Sequence, residues 1–178
     1  VSNTVTYPAR FMLIASMNPC PCGYYGSKIK QCKCSPAQIQ RYLGRVSGPL
    51  VDRIDLQIET DAVPYDSLRG QGSPEESSAE VRRRVQQARL IQQKRFEGTG
   101  IFANAHMSVR EINRFCRLSP DADSLLKSAF DSLKMSARAY SRILKIARTV
   151  ADLAQSEDIT AEHIAEAIRY RSLDRKYW

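Results

Sequence analysis

The segment that decides the fold of the second half of the chain is Ser136-Ala-Arg138-Ala-Tyr-Ser-Arg142-Ile-Leu-Lys145-Ile-Ala-Arg-Thr-Val150-Ala-Asp-Leu-Ala154. Its apolar side chains recur at helical spacing, and Ser136 is a residue type that caps helix N-termini. A helix with one apolar stripe must bury that stripe against other elements, so the segment predicts a helical bundle built around it. The predicted stripe consists of Tyr140, Ile143, Leu144, Ala147, Val150, Ala151 and Ala154.

Four further helices are predicted around this segment. One runs from Pro74 to Phe96 and includes the run Arg82-Arg83-Arg84, which indicates a solvated face, with a DNA contact as the alternative. The other three each open with a serine or threonine suited to cap a helix. They span Ser108 to Arg117, Ser119 to Leu133, and Thr160 to Arg171. Residues 60 to 74 contain Pro64, Gly70, Gly72 and Pro74 and predict a linker.

The first part of the chain has a different pattern. Residues 9 to 16 predict a buried strand that stops at Asn18-Pro19, and residues 54 to 59 alternate apolar and polar side chains like a second strand. Between them, a Cys-rich loop from Pro19 to Ser35 precedes a short helix that begins near Pro36 with Ser35 as its N-cap. The predicted fold class is therefore mixed α/β, mostly α, with one domain over residues 1 to 60 and a second over residues 61 to 178.

The composition indicates a folded protein with a basic surface. The chain has 178 residues, 43% of them hydrophobic, with a net charge of +8 and a pI of about 9.4. That charge favours a nucleic acid or another polyanion as partner, although basic proteins that bind neither also exist. The longest apolar run, Phe11 to Ala15, is too short to cross a membrane, and no signal segment opens the chain, so we expect a cytoplasmic protein. Because Val1 is not an initiator methionine, we also expect a piece of a longer protein.

Two arginine sites suggest phosphate binding. If Ser136 caps its helix, Arg138 lies in the first turn, where the helix dipole favours an anion over a cation. Arg142 and Lys145 continue the same polar face, so an anion at the helix start would meet several donors. The alternative for all three is a solvated basic face.

The second site is Arg53, which lies between Asp52 and Asp55 after a Gly48-Pro49 turn. Arg53 either forms a surface salt bridge with a neighbouring carboxylate or stabilises phosphate charge in a neighbouring subunit. The physics of the sequence does not choose between these two roles.

Four cysteines form a candidate metal site. They occur as Cys20-x-Cys22 and Cys32-x-Cys34, and clustered thiols in a chain of this kind bind zinc more often than they form disulfides. The alternative is four reduced thiols on a mobile loop. Lys28, Lys30 and Lys33 on the same loop could contact DNA phosphates, with Tyr24 and Tyr25 available to stack. Cys116 is predicted to lie in the core, and His106 and His163 are predicted to lie at the surface or at helix caps.

Together these motifs resemble the AAA+ ATPases of the magnesium-chelatase-like group, of the competence-related ComM (YifB) type. The resemblance rests on blocks that follow the family order over nearly the whole chain. These blocks are Tyr7-Pro-Ala-Arg-Phe11, Ser16-Met-Asn-Pro-Cys-Pro-Cys-Gly23, Cys32-Lys-Cys-Ser-Pro-Ala-Gln-Ile-Gln-Arg-Tyr-Leu43, Ser47 to Glu59, Ser136 to Leu153 and Tyr170-Arg-Ser-Leu-Asp174.

The resemblance implies a role for each site. It implies that residues 1 to 60 are the last strands of an AAA+ α/β core and that residues 61 to 178 are a linker and helical lid. Asn18 would be the sensor 1 residue, Arg53 an arginine finger acting in trans, and Arg138 the sensor 2 arginine, with Arg142 a weaker candidate. The family's phosphate loop and acidic Walker B strand are not found in this sequence, so we expect this chain alone to be inactive.

For the intact protein, the resemblance implies a hexameric ring that hydrolyses Mg-ATP and drives branch migration or unwinding of DNA in recombination during natural transformation. The main alternative is a chelatase-like ATPase that remodels a protein partner without DNA. A third possibility is a non-catalytic adaptor that carries zinc.

Overall fold

The computed structural model describes residues 4–7, 11–60, 63 and 76–171. The chain divides into two compact units, Val1–Arg45 and Val46–Trp178. The secondary structure of the described residues is almost entirely helical, which confirms the prediction of a mostly α protein. The predicted linker lies outside the described residues except for Thr60 and Val63.

Among its described residues, the first unit carries one short helix, α1 (Pro36–Leu43). The Ser35 hydroxyl accepts a hydrogen bond from the Gln38 backbone N–H, and the Gln38 side chain accepts one from the Ser35 backbone N–H at 2.8 Å. This reciprocal capping box, with proline at the first helical position, fixes where the helix begins. The predicted start of this helix is therefore confirmed.

The second unit contains six α-helices in its described part. A short helix, α2 (Gly48–Val51), is followed by the 18-residue helix α3 (Ser78–Arg95) and a single 3-10 turn (Asn104–His106). Four helices complete the unit: α4 (Val109–Phe115), α5 (Pro120–Leu133), α6 (Ala137–Leu153) and α7 (Ala161–Arg169). The predicted helices are all present, although α3 begins four residues later than expected.

The core of the second unit is built around α6. Ile143, Leu144, Ala147 and Ala151 are buried on one side of this helix, which packs against α3, α4, α7 and the 3-10 turn. α5 packs against α7 and contributes Ala122 and Leu126 to the same core. The predicted apolar stripe is confirmed in its middle, whereas its ends, Tyr140 and Ala154, are exposed.

The two strand predictions are wrong for the residues that the structure describes. Residues 11–17 and 54–59 form no strand, and Phe11, Met12 and Ile14 are each more than three quarters exposed. A strand is stabilised by pairing with another strand and by side chains packed on the sheet, and neither segment pairs with a second strand among the described residues. Among the described residues, the isolated β-bridge joins Leu118 and Ile159, which lie outside both segments.

None of the described helices is both long enough and apolar enough to span a membrane.

Candidate functional site

The four predicted metal ligands are brought together in the first unit. The Sγ atoms of Cys20, Cys22, Cys32 and Cys34 all lie within 4.8 Å of one another. The Cys20 Sγ is 3.4 Å from that of Cys22 and 3.7 Å from that of Cys32, and no disulfide joins these cysteines. Four thiolates bound to one zinc ion at about 2.3 Å would lie about 3.8 Å apart. The observed spacings therefore fit a tetrahedral thiolate site.

Backbone geometry shapes the cysteine cluster. Gly23 follows Cys22 with a φ of +79°, which closes a turn in which the Gly23 N–H bonds to the Cys20 carbonyl at 3.0 Å. A residue with a Cβ would be strained in this left-handed conformation, so glycine allows the first two thiols to converge. Cys20 is fully buried, and the other three cysteines are partly buried.

The thiol pKa values differ within the cluster. The backbone N–H groups of Lys33 and Tyr24 bond to the Cys22 sulfur and lower the pKa of Cys22 to about 6. Desolvation raises the pKa of Cys34 to about 12. Four thiols at this spacing repel one another when ionised, so a cation between them is needed before all four can be thiolates together.

Basic and aromatic side chains surround the cysteines. Lys28, Lys30 and Lys33 are exposed, and the Lys30 ammonium lies 4.7 Å from the centre of the Tyr24 ring. Tyr25 is 40% exposed. The loop thus presents cations and aromatic faces to solvent, the side-chain types that contact nucleic acid.

Asn18, the predicted sensor 1 residue, belongs to the same unit. It is exposed, and its amide lies beside the Gly23 backbone, where a Cβ on residue 23 would be 3.8 Å from the Asn18 Cγ. Its role as the sensor 1 residue stays a prediction.

Arg53 lies in the second unit, and its neighbouring carboxylates are engaged elsewhere. Asp52 pairs with Arg171 at 3.1 Å, and Asp55 pairs with Arg142 at 3.2 Å. The exposed Arg53 guanidinium donates to the Pro49 carbonyl at 2.8 Å, and no carboxylate of the described residues lies within ion-pair distance of it. The intramolecular salt bridge considered for Arg53 is thus not formed.

The two arginines at the start of α6 have different environments. Ser136 accepts a hydrogen bond from the Ala139 N–H and caps the helix, so Arg138 lies in the first turn, exposed, as the sequence predicts. Arg142, one turn later, is mostly buried, with a side chain that is 22% exposed and that also bonds to the Asp52 carbonyl. Arg142 is therefore engaged within this chain, whereas Arg138 has no ion-pair partner in the described part.

A buried ionic network was not predicted from the sequence. Arg148 and Asp152 lie one turn apart on α6 with exposed fractions of 1% and zero, and they pair at 3.1 Å. Arg95 of α3 pairs with the same carboxylate, and the Asn104 amide donates to it at 2.8 Å. The available signal was two opposite charges four residues apart next to the apolar stripe.

The remaining residues considered in the sequence analysis lie in the core, at a helix cap or at the surface. Cys116 is in the core, as predicted, and burial raises its pKa to about 11. The His163 ring accepts a hydrogen bond from the Thr160 N–H at 3.1 Å and so caps α7, while His106 is exposed in the 3-10 turn. Arg82 and Arg83 are exposed on α3, and Arg84 pairs with Glu76.

Family models and known proteins resemble the chain over most of its length. Residues 1–68 match the model described as magnesium chelatase, subunit ChlI, and residues 75–171 match the model of the ChlI C-terminal region. The chain is 43% identical over 171 residues to the competence protein ComM of Haemophilus influenzae, and 44% identical over 171 residues to the YifB protein of Escherichia coli. A Mycobacterium tuberculosis protein is 35% identical over 165 residues.

These alignments cover 96%, 96% and 93% of this chain, and 32%, 33% and 32% of the respective relatives. The chain thus spans about a third of the length of the curated relatives that it matches. Both halves of the chain match successive regions of one protein type, in the order that the sequence motifs predict. The chain belongs to the magnesium-chelatase-like family, with relatives of the ComM and YifB type.

Proposed function

We propose that the chain is the C-terminal part of a Mg-ATP-dependent AAA+ motor that acts on DNA, as a ring of six subunits. The reaction is transfer of the ATP γ-phosphoryl group to water. Asn18 orients the attacking water as sensor 1, Arg53 reaches the nucleotide of the adjacent subunit, and Arg138 contacts the nucleotide as sensor 2. When bound with ATP, Mg²⁺ would supply positive charge that neutralises part of the phosphate charge. Family membership and the exposed cationic groups support this proposal.

The observation that carries the proposal is the environment of Arg53. Both neighbouring carboxylates are engaged by other arginines, and Arg53 retains an exposed guanidinium held by the Pro49 carbonyl. A guanidinium with free donors suits the charge that develops on a transferred phosphoryl group. An arginine finger supplied in trans contributes a factor of about 10³ to 10⁵ in kcat.

The test is the steady-state ATPase rate of the full-length protein. Arg53→Ala should lower kcat by about 10³, and Arg53→Lys should recover little because lysine cannot present a planar fork of donors. Arg89→Ala, which removes an exposed arginine on α3, is the matched control and should leave the rate unchanged. An Arg53→Ala rate equal to that of wild type would contradict the arginine-finger role. The 178-residue chain alone should show no ATPase.

DNA is the proposed partner because of the net charge of +8 and the Lys28, Lys30 and Lys33 loop. Branched DNA should stimulate the ATPase several-fold at low salt, and the stimulation should weaken as salt rises. Replacing the three lysines with glutamine should reduce stimulation without changing the rate in the absence of DNA. The comparison is the double variant Arg82→Gln with Arg83→Gln. It should leave the stimulation by DNA unchanged, since we interpret that arginine run as a solvated face. From the resemblance to ComM-type proteins, we propose that the activity on DNA is promotion of branch migration in recombination and natural transformation.

The second candidate is a chelatase-like ATPase that remodels a protein partner. It is favoured by the family match, whose model name refers to magnesium chelatase. A robust ATPase rate that is indifferent to branched DNA at both salt concentrations would support it over the DNA motor.

We also propose that the four-cysteine cluster binds zinc. The sulfur spacings fit four thiolates around one ion, and the metal would hold together a loop with few apolar side chains of its own. Reduced, desalted protein should contain about one zinc ion per chain. Cys32→Ser should release most of it, whereas Cys116→Ala, which removes the thiol outside the cluster, should retain it. Less than about one zinc ion for every two chains would contradict the site.

A further inference from the structure

The segment that carries Arg53 is attached to the helices of its own unit at several points. Arg142 of α6 bonds to the Asp52 carbonyl and pairs with the Asp55 carboxylate at 3.2 Å. Arg171, just beyond α7, pairs with the Asp52 carboxylate at 3.1 Å. Two arginines, one on α6 and one just beyond α7, therefore engage the aspartates on both sides of Arg53 in the sequence.

Backbone contacts add to these ion pairs. The Gln57 N–H donates to the Tyr170 carbonyl at 2.8 Å, and the Arg171 guanidinium donates to the Ile54 carbonyl at 3.4 Å. The Gln57 side chain bonds back to the Val51 carbonyl at 3.3 Å. Residues 51 to 57 are thus fixed by hydrogen bonds as well as by charge, although they form no strand.

The ion pairs also decide which carboxylates are available to Arg53. Asp52 and Asp55 are the nearest carboxylates in the sequence, and either could neutralise Arg53 if its own partner were removed. With Arg142 and Arg171 engaging these carboxylates, the Arg53 guanidinium keeps donors available for another acceptor. An arginine that acts on a phosphoryl group needs both its charge and a fixed position.

We propose that Arg142 and Arg171 are positioning residues for Arg53. They engage the carboxylates of Asp55 and Asp52. In doing so they hold the Arg53 segment against α6, the helix that also carries Arg138, and against the residues just beyond α7. This inference rests on the proposed ATPase function and deepens it. One consequence is that Arg142 acts through Arg53 and does not itself contact the nucleotide.

The exposure of Asp55 distinguishes positioning from a general role in folding. The Asp55 side chain is 63% exposed, and an ion pair whose carboxylate is exposed to water adds little to the stability of a fold. Removal of the Asp55 charge should therefore leave the folded protein nearly as stable as before. If the pair sets the position of Arg53, the same change should nevertheless lower the catalytic rate, since small displacements of reacting groups are costly.

The first experiment measures kcat and KM for Mg-ATP in the full-length protein with Asp55→Asn and Arg142→Ala. Each variant should lower kcat by about 10-fold, with KM changed less than about twofold, because only transition-state stabilisation is lost. The matched control is Asp131→Asn, an exposed carboxylate on α5 with no ion pair among the described residues, and it should leave kcat unchanged. The thermal midpoint of Asp55→Asn should stay close to that of wild type.

The second experiment repeats Asp55→Asn and Arg142→Ala in an Arg53→Ala background. If both act through Arg53, neither should lower the residual kcat further. The same loss in both backgrounds would overturn the inference while leaving the ATPase proposal intact. An unchanged kcat in the Asp55→Asn and Arg142→Ala single variants would also overturn the positioning role and leave the ATPase proposal intact. A wild-type protein without ATPase activity would overturn the proposed function, and the positioning role with it.

Discussion

Asp152 is the residue on which the ionic network of the helical unit converges. Its carboxylate accepts hydrogen bonds from Arg95, Arg148 and Asn104, and its side chain is fully buried. Arg148 also donates to the carbonyls of Ser156 and Glu157, so the network ties α3, the 3-10 turn and the loop after α6 together. Removal of one member of a buried ion pair leaves the partner charges uncompensated.

We therefore expect Asp152→Ala to destabilise the chain by about 3 to 5 kcal/mol. Glu76→Ala is the contrasting change, because the Glu76–Arg84 pair is 42% and 51% exposed and should contribute about 0 to 1 kcal/mol. Chemical denaturation followed by far-ultraviolet circular dichroism measures both. Equal losses in the free energy of unfolding for Asp152→Ala and Glu76→Ala would contradict the expectation that the buried ion pair contributes more to stability than the exposed one.

Arg148 and Asp152 also show where sequence reasoning stops at the scale of single residues. The helix and the centre of its apolar stripe were predicted from local periodicity, which depends only on neighbouring positions. The partner of Asp152, Arg95, is 57 residues away, and its contact depends on how α3 packs on α6. The same limit applies to Asp52 and Asp55, whose respective partners, Arg171 and Arg142, are distant in the sequence.

At the scale of elements, helices were predicted well because their ends are specified locally. Ser119 caps α5 by accepting a hydrogen bond from the Ala122 N–H, and Pro120 occupies the first position. Strands 9 to 16 and 54 to 59 were not formed in the described residues, because a strand requires a partner that local sequence does not reveal. The convergence of the four thiols was predicted from spacing, since C-x-C pairs bring ligands close in sequence.

The cap of α5 gives a prediction with an internal control. Ser119→Ala should destabilise the chain by about 1 kcal/mol, because one N–H at the helix start loses its acceptor. Ser128→Ala is the same substitution at an exposed interior position of α5 and should be neutral or stabilising by up to about 0.5 kcal/mol, since alanine favours helix. Urea denaturation compares the two, and a loss at both positions would contradict the capping role.

Two capping boxes make helix stability depend on pH. Hydrogen bonds from Ser77 and Ser108 lower the pKa of Glu80 and of Glu111, respectively, below its usual value. A lowered folded-state pKa means that the stabilisation is present above the unfolded pKa and is lost as pH falls through the folded value. Glu111→Gln keeps an acceptor but does not titrate, so its thermal midpoint should fall less than that of wild type below the ordinary pKa of 4.5. Glu97→Gln is the control, because Glu97 caps no helix. Its thermal midpoint should fall with pH as that of wild type does.

At the scale of the whole molecule, the proposed ring makes each ATP site depend on two subunits. Arg53 belongs to one subunit, and the phosphate loop expected in the longer protein belongs to its neighbour. In a ring of this kind the same heterologous interface repeats around the axis. A trans arginine can therefore be tested by mixing two defective proteins, each lacking one side of the site.

Arg53→Ala and a variant lacking the phosphate-loop lysine should each be nearly inactive alone. In a random equal mixture, about a quarter of the interfaces combine an intact phosphate loop with an intact Arg53, so about a quarter of the wild-type ATPase should return. Native mass spectrometry of the mixed rings is the control that subunits exchange. Mixed rings without ATPase activity would mean that Arg53 serves its own subunit. Recovery would instead show that the exposed Arg53, held between Arg142 and Arg171, completes the site of the next subunit.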